Sequence, residues 1–240
     1  MANQEHLDIL KQGATVWNEW RKSNPEIKPD FTDADLTGAN LILANLIRAD
    51  LSGADLTGAY LIGANLSEAD LIGTDLSEAD LSEAALTKAN LIGVTLRKAN
   101  LTGVSLRNAN LLEANLPEAR LYEASLNRAR LYKANLSEAN LHDADLSDAS
   151  LDETNLTRAG LTGANLTGAS LYEATLTEAD FSRANLQEAN LEGALNLTAE
   201  QLGKTITLYR AKVDTNLLKE LQEKYPHLLE EPPPEEQSKK

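Results

Sequence analysis

The chain has 240 residues, with 37 Asp and Glu against 22 Lys and Arg, a formal net charge of −15. That balance argues against direct nucleic-acid binding, which needs clustered cations to neutralise phosphate. The lack of cysteine excludes disulfides, thiolate metal sites and cysteine nucleophiles. The N-terminus has no basic segment leading into an apolar core, and no run of about 18 apolar residues follows, so a cytoplasmic protein without a membrane span is expected.

Residues 1–29 read as a helical cap and its lead-in. Across 3–23, Leu7, Leu10, Ala14 and Trp17 fall on one stripe of a single expected helix, with Trp20 beside it. Pro25 and Pro29 then enforce extended chain. Both tryptophans lie here, which suits a cover over the first layer of whatever follows, or a partner site.

From Phe31 to Leu191 every fifth residue is Leu, save the two Phe at 31 and 181, giving 33 central positions without insertion or deletion. From Leu36 onward Ala stands two residues earlier, except at Thr74, Val94, Val104 and Thr154. Asp or Asn fills 21 of the 32 positions immediately before those central residues. A period of five fits neither a helix stripe nor one face of a strand, so the chain must turn once per repeat. Ala and the central Leu then share the inner face and Asp or Asn points out. The other two residues form a corner. Ten corners carry Gly second, as at Gly38 and Gly53, suiting a type II turn. The remaining corners are expected to use another turn type. Nothing polar is expected inside, which leaves no catalytic residue, cofactor or metal in the interior.

The units "ADLTGANL", "ANLSEADL" and "ANLTGASL" resemble the pentapeptide-repeat family, over residues 30–194. The resemblance implies an all-β solenoid: a right-handed quadrilateral β-helix of about eight coils, with an N-terminal cap helix and C-terminal capping helices. The filled interior, covered ends and patterned exterior point to a non-enzymatic scaffold or protein-interaction module, and the resemblance adds that many such proteins have no assigned biochemical activity. An alternative from the same family is a DNA-mimic regulator of a topoisomerase such as DNA gyrase.

Residues 195–226 read as a C-terminal helical cap. Thr198 and Gln201 match a capping box, and "DTNLLKELQEKYP" reads as a helix ended by Pro226. Residues 227–240 are expected to form a disordered, acidic, Pro-rich tail.

Function is therefore sought on the outer faces, where residues 20 apart stack in columns. Asp35, Asp55 and Asp75 would form an acidic ridge, or bond nearby corner backbone as Asn does. Ile72, Ile92, Leu112 and Tyr132 share one corner column, a structural ladder or a stripe for a partner. Residues 86–133 hold eight bases and three acids between two acidic stretches. Within them Arg130, Tyr132 and Lys133, with Arg120 and Tyr122 on the opposite face, form a candidate partner surface. His6, His142 and His227 are too scattered for a metal or catalytic pair. The expected partner is another protein, bound by a monomer or a lateral homodimer.

Overall fold

Leu and Ala two residues apart can enter one interior only if the chain bends between successive pairs, and it does so at every repeat. The computed structural model describes residues 1–233. The repeats wind into a right-handed quadrilateral β-helix, four repeats to a coil. Parallel bridges join each outward residue to the one 20 positions later, from Asp30↔Asp50 to Thr175↔Leu195. The four faces are named here by their central residues: first (Phe31, Leu51 … Leu191), second (from Leu36), third (from Leu41) and fourth (from Leu46).

One repeat shows how the backbone is satisfied. Leu71 N–H donates to Asn90 O at 2.7 Å and Gly73 N–H to Ile92 O at 3.0 Å, both in the next coil. Asp70 N–H reaches back to Ala49 O at 2.9 Å, and Thr74 N–H closes the corner on Leu71 O at 3.2 Å. Ile72 N–H alone lacks a backbone partner, and the Asp70 carboxylate accepts from it at 3.4 Å. This bond explains the preference for Asp or Asn, since both place an acceptor two residues before the orphan donor.

All 33 corners share one geometry, contrary to the expectation of mixed turn types. The second corner residue has φ between 54° and 71° throughout, whether Gly, Glu, Lys, Arg or even Leu43. The first has negative φ, as a type II turn requires. Pro117, whose ring presets φ near −65°, occupies that first slot. Positive φ costs a non-Gly residue about 1–2 kcal/mol. The stack imposes it regardless, because the N–H at this slot must meet the next coil, as Glu68 N–H meets Thr87 O at 3.0 Å.

The central Leu and Phe fill the interior with the Ala layers, nearly all below 2% exposure. Two polar groups do point inward, against expectation. Thr74 Oγ1 donates to Leu51 O at 2.8 Å and Thr154 Oγ1 to Leu131 O at 2.9 Å. Both residues are fully buried, and each hydroxyl is satisfied by a carbonyl of the preceding coil.

The N-terminal cap is two helices rather than one: α1 (Gln4–Leu10) and α2 (Ala14–Ser23). Gly13 breaks them at φ 104°, a conformation closed to side-chain-bearing residues. Trp17 is fully buried, stacks on Trp20 with centroids 5.0 Å apart, and lies 5.3 Å from Phe31. Its Nε1 donates to Asn45 O at 2.8 Å, while His6 Nδ1 accepts from Asp30 N–H at 3.0 Å. The buried Arg21 donates to Asn24 O and Ile27 O, and burial lowers its pKa. The aromatic cluster is the lid of the first coil.

At the other end α3 (Ala199–Leu202) forms with its Thr198–Gln201 capping box, and Gln201 Nε2 also donates to Leu176 O and Ala179 O. The chain then does something the sequence reading missed. Residues 206–212 rejoin the solenoid, with Thr207 bridged to Asn185 and Lys212 to Asn190. Leu208 is buried, Arg210 has φ 58°, and Ala211 N–H bonds Leu208 O at 2.9 Å, a further repeat in all but spacing. The offset is 22 instead of 20 because α3 replaces two faces of the last coil. Helix α4 (Thr215–Lys224) and a 3-10 turn (Pro226–Leu229) follow. Residues 227–229, expected in the tail, belong to the fold: Leu228 is buried and its carbonyl accepts from Leu208 N–H at 2.7 Å. Residues 234–240 of that expected tail lie outside the described residues.

Candidate protein-interaction surface

With the lumen filled, chemistry is confined to the outside. Among the described residues no group of three or more His or acidic side chains is arranged to hold a metal ion. No helix among them is long and apolar enough to cross a membrane. His6 is built into the cap and His142 sits on a third-face corner with its N–H on Asn140 Oδ1. A crevice of about 260 Å³ separates the α1–α2 junction from the first coil, lined chiefly by Leu10, Leu36, Ala39 and Leu41. Near it Tyr60 and Leu43 are exposed, the latter at 66%.

The acidic column lies where the spacing put it. Asp35 bridges Asp55, which bridges Asp75, on the second face. Each carboxylate accepts from the backbone two residues on, at Thr37, Thr57 and Ser77. The Thr37 backbone bond holds the Asp35 carboxyl below its ordinary value; the Thr57 hydroxyl and N–H do so for Asp55. These aspartates close corners as their asparagine counterparts do.

Arg120 and Arg130 belong to opposite faces, in the columns Asn100–Arg120–Asn140 and Asn110–Arg130–Ser150. The Arg120–Tyr122 and Arg130–Tyr132 pairs therefore cannot form one surface. Tyr122 carries a raised pKa, through Glu123 beside it. On the first-to-second corner, Tyr132 donates its hydroxyl to Glu153 Oε1 at 2.7 Å. Lys133 lies 5.0 Å over the Tyr132 ring and 3.5 Å from Glu153. Its pKa is raised, first by the Tyr132 hydroxyl and then by that carboxylate. Lys133 and Tyr132 are thus tied to the next coil, whereas the guanidinium groups of Arg120 and Arg130 have no hydrogen bond or ion pair among the described residues.

Ile72, Ile92, Leu112 and Tyr132 form one corner column, Ile72 being the most exposed at 41%. Asp152 ends the run, with Tyr172 beyond it. The opposite border of the same first face is another corner column, and it carries Lys88, Arg107 and Arg128. Arg130 stands between the two borders and Lys133 on the apolar side. Five of the eight bases in residues 86–133 therefore gather on one side of the rod, accompanied there by a single acid, Glu113. Charge read along the sequence suggests a basic belt; folding the numbering by 20 shows a one-sided strip. Arg128 pairs with Asp148 at 3.4 Å and Lys88 acts electrostatically on Glu68 one coil earlier, while Arg107 and Arg130 have no acidic partner among the described residues.

Comparison with known proteins agrees with this architecture. The family profile for pentapeptide repeats matches in eight copies, over residues 30–67, 64–103, 99–138, 134–171 and 159–195. HetL, a pentapeptide repeat protein involved in heterocyst differentiation regulation from the cyanobacterium Nostoc sp. strain PCC 7120, is 36% identical, over 81% of this chain and 93% of that one, with a TM-score of 0.31. Trypsin-treated QnrB1, a plasmid-mediated fluoroquinolone resistance protein, is 20% identical over 73% of this chain and 89% of that one, with a TM-score of 0.57. Rfr23 from the cyanobacterium Cyanothece 51142 is 25% identical over 73% and 98%, with a TM-score of 0.27. No curated protein matches the sequence. The likeness to QnrB1 is one of fold.

Proposed function

Since the chain belongs to the pentapeptide-repeat family, we propose that it acts as a non-enzymatic interaction rod, a cytoplasmic scaffold that binds another protein through its outer faces. One observation carries this reading: the interior is packed with Leu, Ala and Phe, while the first face presents apolar side chains beside unpaired cations. Exposed apolar surface rimmed by charge is what binding surfaces present. A lateral homodimer through that face is the same reading with a second copy as partner.

The test is affinity capture from native lysate with the wild-type rod and an Arg130→Ala, Tyr132→Ala rod, with light scattering after size exclusion. A partner or dimer specific to folded wild type supports the reading. A monomer that captures nothing specific from its own lysate sinks it.

A second reading, mimicry of DNA toward a topoisomerase such as gyrase, is favoured by the stacked Asp35, Asp55 and Asp75. Its weakness is that the aspartate column stops at Asp75 and continues on the same face as the uncharged Thr95, Asn115 and Asn135. It requires inhibition or protection of the topoisomerase in a supercoiling assay, abolished when the three aspartates become Asn.

A further inference from the structure

We propose that the first face between Ile72 and Lys133 is a docking strip for an acidic, amphipathic α-helix of a partner protein lying along the rod axis. The proposal rests on the interaction-rod reading and specifies its site and partner chemistry.

Geometry selects a helix. Along the lateral faces the backbone N–H and C=O groups run between coils and are already paired, as Leu91 N–H is with Asn110 O at 2.7 Å. An added strand would find no free ladder there, so recognition falls to side chains. Ile72, Ile92, Leu112 and Tyr132 repeat once per coil, at a spacing of about 4.8 Å. An α-helix advances about 5.4 Å per turn. A helix laid along the column presents one apolar residue per coil, and over three steps the two repeats drift apart by only about 2 Å, within side-chain reach. The four contacts span about 14 Å, three turns or roughly 10 residues of helix.

Charge selects its flank. Lys88, Arg107 and Arg130 lie on one side of the apolar column; Lys88 already faces Glu68, while Arg107 and Arg130 have no acidic partner among the described residues. Carboxylates on the helix edge facing them would gain partners, while Asn90 and Asn110 between the borders leave the face low. The neighbouring coils set the ends of the strip. Glu68 and Asp70 stand before it and Asp148, Asp152 and Glu153 after it, so an acidic partner is repelled beyond about three turns. The same fences disfavour a nucleic-acid strand, which would have to run past both.

The column itself supplies variants that preserve the fold. Arg130→Asn reproduces Asn110, Arg107→Asn reproduces Asn127, and Leu112→Ser reproduces Ser52, each from its own column. The probe is a fluorescein-labelled peptide of about 12 residues with one leucine per turn and glutamates along one flank. Controls are a shuffled peptide of equal composition, a lysine-flanked version and a short DNA duplex. Fluorescence anisotropy with the full chain should show the acidic peptide binding at least about tenfold more tightly than the shuffled or lysine-flanked one. The Arg107→Asn, Arg130→Asn rod should lose about tenfold and most of the salt dependence; Leu112→Ser should lose a similar factor and keep it. Thermal melts verify that the variants are folded. Equal binding of the shuffled peptide, unchanged affinity in both variants, absence of binding, or tighter strip-dependent binding of the duplex each overturns the proposal. A lysate partner that still binds the Arg107→Asn, Arg130→Asn rod leaves the interaction-rod reading standing and removes this site. Capture of no partner removes that reading itself.

Discussion

Thr154 donates its hydroxyl to the carbonyl of Leu131, one coil earlier and 2.9 Å away, inside an otherwise apolar tube. That carbonyl already accepts from Ala134 N–H at 2.9 Å, so losing the hydroxyl orphans nothing. Thr154→Val should therefore change the unfolding free energy by less than about 1 kcal/mol, since Val occupies the equivalent slot at Val94 and Val104. Leu131→Ala, one slot away, should cost about 2–5 kcal/mol through the cavity it leaves. Denaturant melts of the two variants compare them directly; a Thr154→Val loss as large as that of Leu131→Ala would mean the hydroxyl organises the coil.

Corner conformation can be tested where no neighbour interferes. A Cβ added at Gly58, at φ 62°, meets nothing within 4 Å. Gly58→Ala should cost about 1–2 kcal/mol from backbone strain alone, and Gly58→Asn less, because Asn tolerates positive φ. A neutral Gly58→Ala in urea titration would show that the stack holds corners at no local cost.

The cap carries a larger prediction. Trp17 is fully buried against Phe31 and Trp20, so Trp17→Ala should lose about 3–5 kcal/mol. It should also bare the first coil's edge and induce concentration-dependent association, read by light scattering. A stable monomeric variant would remove the cap from the account of why the rod does not polymerise.

Acid should unwind the corners before it affects the core. The Thr32 N–H holds the Asp30 carboxyl below its ordinary value, and the Ser182 hydroxyl does the same for Asp180, as at Asp35 and Asp55. Carboxyls depressed in the folded state stabilise it above the unfolded value of about 3.9 and lose that contribution as pH falls further. The melting temperature should be level from about pH 7 to 5 and drop below about pH 4. Asp55→Asn keeps the corner acceptor, as Asn65 does on its own face, and should blunt the drop; an identical profile would exclude this corner from it.

How much of this could be read in advance depends on whether a feature repeats with the period. The strict five-residue spacing of Leu announces the solenoid, its filled core and the four-sided winding. Corners with Gly announce their own conformation, whereas Glu68 or Lys133 has no such preference and takes positive φ only because the neighbouring coils demand it. The break at Gly13 is hidden because Leu10, Ala14 and Trp17 keep helical spacing across it. The last repeat, Leu208 to Lys212, carries the right residues, but α3 shifts its phase by two and conceals it. At the candidate site, the Ile72–Tyr132 column was legible from the spacing of 20. The gathering of cations beside it was not, because Lys88 and Arg130 are separated by two coils of sequence and charge summed along the chain scatters them.

The uniform corner gives the chain an indexing property. Removing twenty residues from the repeats would shorten the rod by one storey and leave every surviving column aligned. Removing five would keep the core equally well packed but turn everything downstream by a quarter revolution, so the C-terminal helices would face a different side from the N-terminal tryptophans. Such deletions alter orientation and length separately, and the uninterrupted run of 33 repeats from Phe31 to Leu191 fixes the angle at which the two ends of this molecule are presented.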